Sequence, residues 1–422
     1  MITRRSFISS LAALSVTSAY ARKLSATDKL NIGVIGVAGR GGEDLNGVSS
    51  QNIVALCDVD DKNLAAAAAR FPSAKTYNDF RQLVDQKDID AIVIGTPDHT
   101  HAVAAAAALK SGRHVYCEKP LTRTLSECRR VREIAQKEKL VTQMGTQIHA
   151  GTNYRRVVEL VQSGAIGAID EVHVWVNATY GGKKKPASGT EKPPQLHWDL
   201  WLGPLPDMPY SPDYAPFVWR NWWAFGGGAL ADFGCHYMDL PHWALDLRYP
   251  TSCEAVSGPP VDADSPPPWL IVRYQHPARG DKPPVKLMWY HGGKQPELLT
   301  TEQAAKWKSG VLFMGKKGMI LADYGKHVLL PEKDFEGFVR PAPFIKDSIG
   351  HHLEWIEACK TRGPTTCNFD YSGALAEAAL LGNVAYRVGK KLDWDAKKLR
   401  AANCPEADQY IQHHYRSGWK LG

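Results

Sequence analysis

The sequence predicts an α/β protein, a doubly wound parallel sheet followed by a second domain of mixed sheet and helices. Near-continuous apolar strands alternate with helical patterns from Leu30 to Met144, the rhythm of parallel strands joined by right-handed crossovers. A glycine-rich turn separates the first strand from the first helix, and beyond Gly145 longer strand patterns are broken by proline-rich loops. With 422 residues, 44% of them hydrophobic and 23% charged, the chain has the apolar material for two cores.

The amino terminus comes first. Thr3-Arg4-Arg5-Ser6-Phe7-Ile8 precedes an apolar stretch from Leu11 to Val16 and then Ala19-Tyr20-Ala21. Twin arginines, a short apolar region and a small-x-small cleavage site, in that order, make a Tat export signal over residues 1–21, too short to span a bilayer. Cleavage is expected after Ala21, with a linker over 22–29 and a mature protein in the periplasm or outside the cell. No later segment reaches membrane-spanning length without charges. Of the formal charge of +7, Arg4 and Arg5 carry two units, and Lys183-Lys184-Lys185 is the one tight cluster in the rest. Such a run is a solvated loop, and no nucleic-acid motif accompanies it. The eight cysteines are irregularly spaced, and Cys57, Cys117 and Cys235 lie in apolar contexts. Buried thiols are expected, with Cys359 and Cys367 the one pair to check for a disulfide.

A dinucleotide-binding domain is expected over 30–148. Leu30 to Ile35 is a strand, followed by Gly36-Val37-Ala38-Gly39-Arg40-Gly41-Gly42 and a helical pattern. A glycine turn there lets backbone amides approach a pyrophosphate at the positive end of a helix. Ala38 stands where the strict fingerprint has its second glycine. Ile53 to Asp58 is a second strand, ending about 20 residues on in an acid placed to hold a ribose hydroxyl. Asp58 favours NAD, because a carboxylate repels a 2′-phosphate; Arg40 is a counter-signal for NADP. Lys62 to Phe71 is helical, Ala91 to Gly95 a strand, His99 to Ser111 a helix, His114 to Cys117 a strand, Leu125 to Glu138 a helix and Val141 to Met144 a strand. Thr96, Pro97 and His101 follow the strand Ala91 to Gly95 at the same sheet edge as the glycine turn and line the cofactor, although Asp98 or Thr100 can equally cap the next helix. Glu118-Lys119-Pro120 follows the next strand, where a desolvated lysine suits proton or hydrogen-bond chemistry and proline stiffens the chain. Taken alone, it is equally a surface turn.

The second domain is expected over 149–422. Asn153 to Ser163 is an amphipathic helix, Ile169 to Asn177 a strand, and 181–194 a loop. Trp198, Trp201, Trp219, Trp222 and Trp223 are five of the chain's 13 tryptophans. Indole faces suit stacking against sugars, and Trp222 is a candidate for that contact, although half of the set can equally build a core. If Ala229 onward is helical, Asp232 and His236 project from one face, where a carboxylate can orient an imidazole and raise its basicity. The pair can equally be a helix-surface hydrogen bond, and no third or fourth metal ligand accompanies it. Strand patterns at Trp269 to Gln275, Val285 to His291 and Gly318 to Tyr324 lead to closing helices at Ser348 to Thr361 and Tyr371 to Val388.

The set of Gly36 to Gly42, Thr96-Pro97, Glu118-Lys119-Pro120 and Gly228-Ala229-Leu230 through Asp232 and His236 resembles the Gfo/Idh/MocA oxidoreductase family, from Leu30 to the carboxyl end. Trp198-Asp199-Leu200-Trp201-Leu202-Gly203-Pro204 and the ending Tyr410 to Trp419 resemble a secreted bacterial subgroup. The resemblance implies a Rossmann-type first domain that binds NAD, with NADP as the alternative, through Gly36, Ala38, Gly39, Arg40, Gly41, Asp58, Thr96, Pro97, His101, Glu118 and Lys119. It implies a second domain whose open, mostly antiparallel sheet forms homodimers or homotetramers. It places Lys119, Asp232 and His236 around a substrate carbon that exchanges hydride with the nicotinamide.

The expected activity is hydride transfer to or from a secondary hydroxyl of a sugar or sugar derivative. His236 takes the hydroxyl proton, Asp232 holds its ring and Lys119 donates to the oxygen, although Lys119 and His236 can exchange roles. Because an exported enzyme has no dinucleotide pool to draw on, the cofactor is expected to be tightly bound and internally recycled. A redox-neutral, NAD-dependent glycoside hydrolase or lyase is the main alternative. A non-catalytic sugar- or nucleotide-binding protein is the alternative from another class.

Overall fold

In the computed structural model, which describes residues 28–187 and 189–421, the first sheet grows from β1 (Asn31–Ile35), whose last four residues are all buried. The export signal expected over 1–21 lies outside the described residues, as does most of the linker. The chain continues through α1 (Gly39–Val48), β2 (Asn52–Cys57), α2 (Asp61–Arg70), β3 (Lys75–Tyr77), α3 (Phe80–Asp85), β4 (Ala91–Ile94), α4 (Asp98–Lys110), β5 (His114–Glu118), α5 (Leu125–Glu138) and β6 (Thr142–Gly145). The strands pair in parallel in the order β3-β2-β1-β4-β5-β6. β4 and β5 are buried throughout, as a parallel sheet covered on both faces requires. Local chemistry sets the helix starts: the Asp60 side chain accepts from the amides of Lys62 and Asn63, and Thr124 with Glu127 forms a capping box on α5. The strand order reverses between β1 and β4, and the crevice outside their carboxyl ends is where this fold binds ligands.

The second half contains α6 (Thr152–Gln162), β7 (Ile169–Val176), α7 (Trp198–Leu202), α8 (Gly228–Tyr237), α9 (Asp239–Leu245), β8 (Ser252–Ser257), β9 (Leu270–His276), β10 (Val285–His291), α10 (Thr301–Lys306), β11 (Gly310–Gly315), β12 (Gly318–Ala322), β13 (His327–Leu330), α11 (His351–Thr361), α12 (Phe369–Val388), β14 (Leu392–Asp395), β15 (Arg400–Ala401) and α13 (Asp408–Ile411). Its nine strands form one open sheet, β13-β12-β11-β7-β10-β9-β8-β14-β15, with β7 and β10 the one parallel pair. The fold class predicted from the sequence is therefore the one observed.

Packing crosses the division between the halves. α12 is buried over most of its length because it lies between α5 and α8 and against the second sheet. Trp355, Ile356 and Cys359 of α11 join Ile32, Val34 and Leu45 in a core on the first sheet. Some elements that sequence periodicity passes over are short or polar: β3 has three residues, two of them exposed, and Ser252–Ser257 carries too few apolar side chains to alternate. β11 is passed over as well, although Val311, Leu312 and Phe313 make it an apolar, buried strand. All eight cysteines are buried and unpaired, Cys359 and Cys367 included. Among the described residues, no helix is long and apolar enough to cross a membrane.

Candidate active site

The glycine turn packs backbone on backbone at the switch point. A side chain at Gly41 would place its Cβ 2.1 Å from the Gly36 carbonyl oxygen, and one at Gly36, where φ is +82°, would fall 2.8 Å from the Gly95 oxygen. α1 therefore starts directly against β1 and β4. Its N-cap, Ala38, supplies no side-chain hydrogen bond, which leaves the first amides of the helix free for an anion. A Cβ at Gly39 would have nothing within 4 Å, so the outer side of the turn is open. This cradle fits a dinucleotide pyrophosphate, and alanine in place of glycine at position 38 does not spoil it. Gly41→Ala forces the turn apart and is expected to weaken dinucleotide binding at least about tenfold, 1.4 kcal/mol, as measured by fluorescence titration of NADH. Unchanged affinity would show that the turn does not hold the pyrophosphate.

Asp58 directly follows β2 and is half-buried, accepting from the amides of Val37 at 3.0 Å and Asp60 at 2.9 Å. Burial raises its pKa, while these two amides and Asn63 oppose the rise. The carboxylate is thus locked in place beside the turn with lone pairs to spare for a ribose diol. Arg40 does not reach it. The Arg40 guanidinium pairs with Glu43, Asp44 and Glu118, and Glu118 ends β5, three strand spacings or roughly 14 Å from β2. Glu118 is correspondingly spent on Arg40 at 3.2 Å and on Gln147 at 2.5 Å, with its pKa raised by burial first and then by Asp44.

Thr96 and Pro97 lie in the turn after β4, between the glycine turn and Lys119; Pro97 is the N-cap of α4. His101 is corrected. Its two ring nitrogens lie 2.8 Å from the Pro120 carbonyl and 2.7 Å from that of Thr96; the neutral ring donates its one N–H to one of them, and at 1% exposure neither nitrogen is open to a cofactor. It ties the turn after β4 to the turn after β5, and burial pushes its pKa down to about 4.

Lys119 leaves β5 and meets α8, where its Nζ donates to Asp232 Oδ1 at 2.5 Å. Arg220 Nε donates to the same oxygen at 3.0 Å. Burial alone would raise the Asp232 pKa, but Lys119 and then Arg220 overcome it and hold the carboxyl down to about 2. His236, one turn further along α8, is kept well below the usual imidazole range by burial and by Lys119, with Asp232 opposing. Its Nδ1 is buried without a hydrogen-bond partner. The expected Asp232 to His236 hydrogen bond is absent: both residues sit on one helix, but two cations claim the carboxylate. Asp98, at the first turn of α4, is 2% exposed, and its Oδ1 is buried without a partner. Burial raises its pKa well above normal against the pull of Arg220. Burial disfavours charge on Asp98 and on His236, whereas Asp232 is held ionised between Lys119 and Arg220. The site is electropositive and suits charge developing on an oxygen.

Sequence reading missed Arg220. It lies in a single 3-10 turn, Trp219–Asn221, within a loop that has no periodicity, and the one signal was its place twelve residues before Asp232. Trp222 is also corrected. It is 3% exposed, stands edge-on to Tyr214 and spends its indole N–H on the Asp213 carbonyl at 2.6 Å. It belongs to an aromatic cluster with Trp198, Trp201, Trp219 and Phe225, so that side chain is wall and not a free stacking platform. Among the described residues, no group of three or more His, Cys, Asp or Glu side chains could hold a metal ion.

Two family models match the chain: the NAD-binding Rossmann fold of an oxidoreductase family over residues 30–146, and that family's C-terminal alpha/beta domain over 150–281. Inositol 2-dehydrogenase of Salmonella typhimurium is 35% identical over 150 residues, covering 34% of this chain and 45% of that protein. A glycosyl hydrolase family 109 protein of Solibacter usitatus is 36% identical over 162 residues, covering 33% of this chain and 35% of that one. The chain therefore matches less than half the length of these curated relatives. The WlbA dehydrogenase of Bordetella pertussis, solved with NADH and UDP-GlcNAcA, shares the fold with a TM-score of 0.61 at 18% identity, over 87% of this chain and 99% of that one.

Proposed function

The chain belongs to the Gfo/Idh/MocA oxidoreductase family, and from that premise we propose that it is an NAD-dependent oxidoreductase acting on a secondary hydroxyl of a sugar or sugar derivative. The observation that carries the reading is the 2.5 Å bridge from Lys119 at the end of β5 to Asp232 on α8, with Arg220 alongside and uncharged His236 one turn on. When bound, the dinucleotide supplies the hydride acceptor and donor. Gly36, Ala38, Gly39 and Gly41 hold its pyrophosphate at α1, Asp58 takes its adenosine ribose, and Thr96 and Pro97 line the crevice between. His236, unprotonated throughout the neutral range, accepts the proton of the substrate hydroxyl. Lys119 donates to the hydroxyl oxygen and stabilises the charge that develops there, a preorganised contact worth several kcal/mol. Asp232 and Arg220 fix the position of the Lys119 ammonium. The commitment of Arg40 to Asp44 and to Glu118, the latter three strands from Asp58, supports NAD over NADP.

The substrate class is supported by the likeness to inositol 2-dehydrogenase. A second reading is favoured by the likeness to a glycosyl hydrolase family 109 protein. In that reading the same oxidation acidifies the neighbouring C–H, the aglycone is eliminated, water adds and the carbonyl is reduced again, with no net redox change. Both readings include export through the amino-terminal twin-arginine signal, and hence a dinucleotide bound before export and regenerated in place.

One experiment tests both. Protein purified from the exported fraction is denatured, the released nucleotide is identified by mass spectrometry, and native protein is offered free sugars and aryl glycosides without added NAD. Co-purified NAD with turnover of sugar pairs is expected. Cleavage of aryl glycoside with no net reduction would replace the dehydrogenase with the redox-neutral reading, and turnover that needs added NAD would end the closed-cycle proposal.

A further inference from the structure

Behind the loop that leads into α8 lies a cavity of about 410 Å³, within the size range of small-molecule sites, and none of Lys119, Asp98, Asp232 or His236 lines it. Its walls combine two kinds of chemistry. Two arginines face it, neither in an ion pair among the described residues. Arg123 donates one Nη1 hydrogen bond to the Trp223 carbonyl at 3.1 Å, while its Nε and Nη2 are buried without partners. The carboxylate nearest in charge to it, Glu127, is already occupied by the Thr124 amide and the Tyr415 hydroxyl. Arg387, in the last turn of α12, lies over the rings of Tyr410 at 4.0 Å and Trp223 at 4.9 Å and makes no hydrogen bond among the described residues. Burial, with Arg123 adding to it, brings the Arg387 pKa down to about 10. A third donor, His413, presents an Nε2 that is also buried without a partner.

Buried guanidinium and imidazole nitrogens without acceptors have given up their hydrogen bonds to water with nothing in return, and the loss is greatest for charged groups. The acidic group on the lining, Asp264, is paired with Lys185 at 2.9 Å in an exposed position, so it does not neutralise the two arginines. Around these donors stand the rings of Trp222, Trp223, Tyr214 and Tyr410. Both tryptophans have given their N–H groups to backbone carbonyls of Asp213 and Asp262, leaving ring carbon as their contribution to the lining. Forked cation donors beside aromatic walls match one kind of ligand, an oxyanion carried on a body with apolar faces.

We propose that this cavity is a second ligand site, separate from the reaction centre, that binds an anionic sugar through Arg123, Arg387 and His413. The shared chemistry is a pyranose-sized ring bearing one carboxylate or phosphate. The site stands on its own geometry and does not depend on which reaction Lys119 and His236 perform.

Isothermal titration of the purified protein, with its dinucleotide retained, tests this with D-glucuronate, D-glucose 6-phosphate, D-glucose and inorganic phosphate. One of the two anionic sugars is expected to bind at least about tenfold more tightly than both glucose and phosphate, and which of them does identifies the oxyanion. Arg387→Met removes the fork and is expected to erase that preference, whereas Arg387→Lys keeps stem and charge over the two rings and retains part of it. Lys119→Met, which alters the reaction centre alone, leaves the preference intact. Equal affinities for all four probes in the wild-type protein overturn the proposal without any variant being needed. So does a preference that survives in Arg387→Met or disappears in Lys119→Met, the latter because it moves the anion to the reaction centre.

Discussion

Replacing Lys119 with methionine is expected to lower kcat by about 10²–10³-fold, roughly 3–4 kcal/mol of transition-state stabilisation, while the dinucleotide stays bound. The expectation follows from what the ammonium touches. It is fixed by Asp232 Oδ1 at 2.5 Å and reaches the Asp232 backbone oxygen at 3.4 Å, so its direction is set before substrate arrives. An ammonium has three protons, and at most two are directed to Asp232, which leaves one for a substrate oxygen. Methionine keeps the length and apolar volume of the stem and removes the charge and the donors. Lys119→Arg should fall between the two: the charge is kept, but a planar fork beside Arg220 cannot place a single donor in the same spot. Steady-state kinetics on the substrate found by the turnover assay gives kcat, and mass spectrometry of denatured protein gives cofactor occupancy. A kcat unchanged in Lys119→Met with full occupancy would take Lys119 out of the chemistry and revive the reading of a non-catalytic binding protein.

Much of the Rossmann half was legible because each of its signals is local. A buried parallel strand is a run such as Ala91 to Ile94, a helix start is a side chain such as Asp60, and the phosphate cradle is a glycine turn within seven residues. What periodicity could not show was the direction of side chains that depend on distant partners. Asp232 and His236 are four residues apart on one helix, which makes a hydrogen bond between them plausible. Lys119 arrives from another domain and Arg220 from a loop, and two nearby cations outcompete one neutral imidazole for a carboxylate. His101 was misassigned for a similar reason: its place beside the cofactor edge is local information, whereas the Pro120 carbonyl that occupies its ring comes from the next strand. The tryptophan cluster shows the limit from the other side. Composition suggested stacking surfaces, but apolar rings close in sequence also pack on one another, and Trp198 and Trp201 do so at 4.7 Å.

The second large effect concerns Asp232 as the counter-charge of the site. Asp232→Asn is expected to destabilise the fold by about 3–5 kcal/mol at pH 7, because it leaves Lys119 and Arg220 buried together with no anion between them. The side chains of Lys119, Asp232 and Arg220 are 10%, 6% and 19% exposed, so water screens the two cations poorly. Removing one of the stranded charges should recover part of the loss: Asp232→Asn combined with Arg220→Gln is expected to be more stable than Asp232→Asn alone, a coupling that independent sites would not show. The pH dependence carries a sign. The Asp232 pKa falls from an ordinary 3.8 to about 2 in the folded protein, so its contribution, about 2 kcal/mol, is fully present above pH 3.8 and is lost as the pH falls through about 2. Asp98 and Glu118 work the other way, since their raised values make ionisation costly in the folded state and mild acid relieves that cost. Urea unfolding from pH 7 down to pH 2 should therefore show the wild-type protein losing stability steeply below pH 3.8 and Asp232→Asn losing less over the same interval. Parallel curves for the two proteins would mean that the carboxylate is not the group that holds Lys119 and Arg220 together, and the assignment of Lys119 as a pre-positioned donor would lose its physical basis.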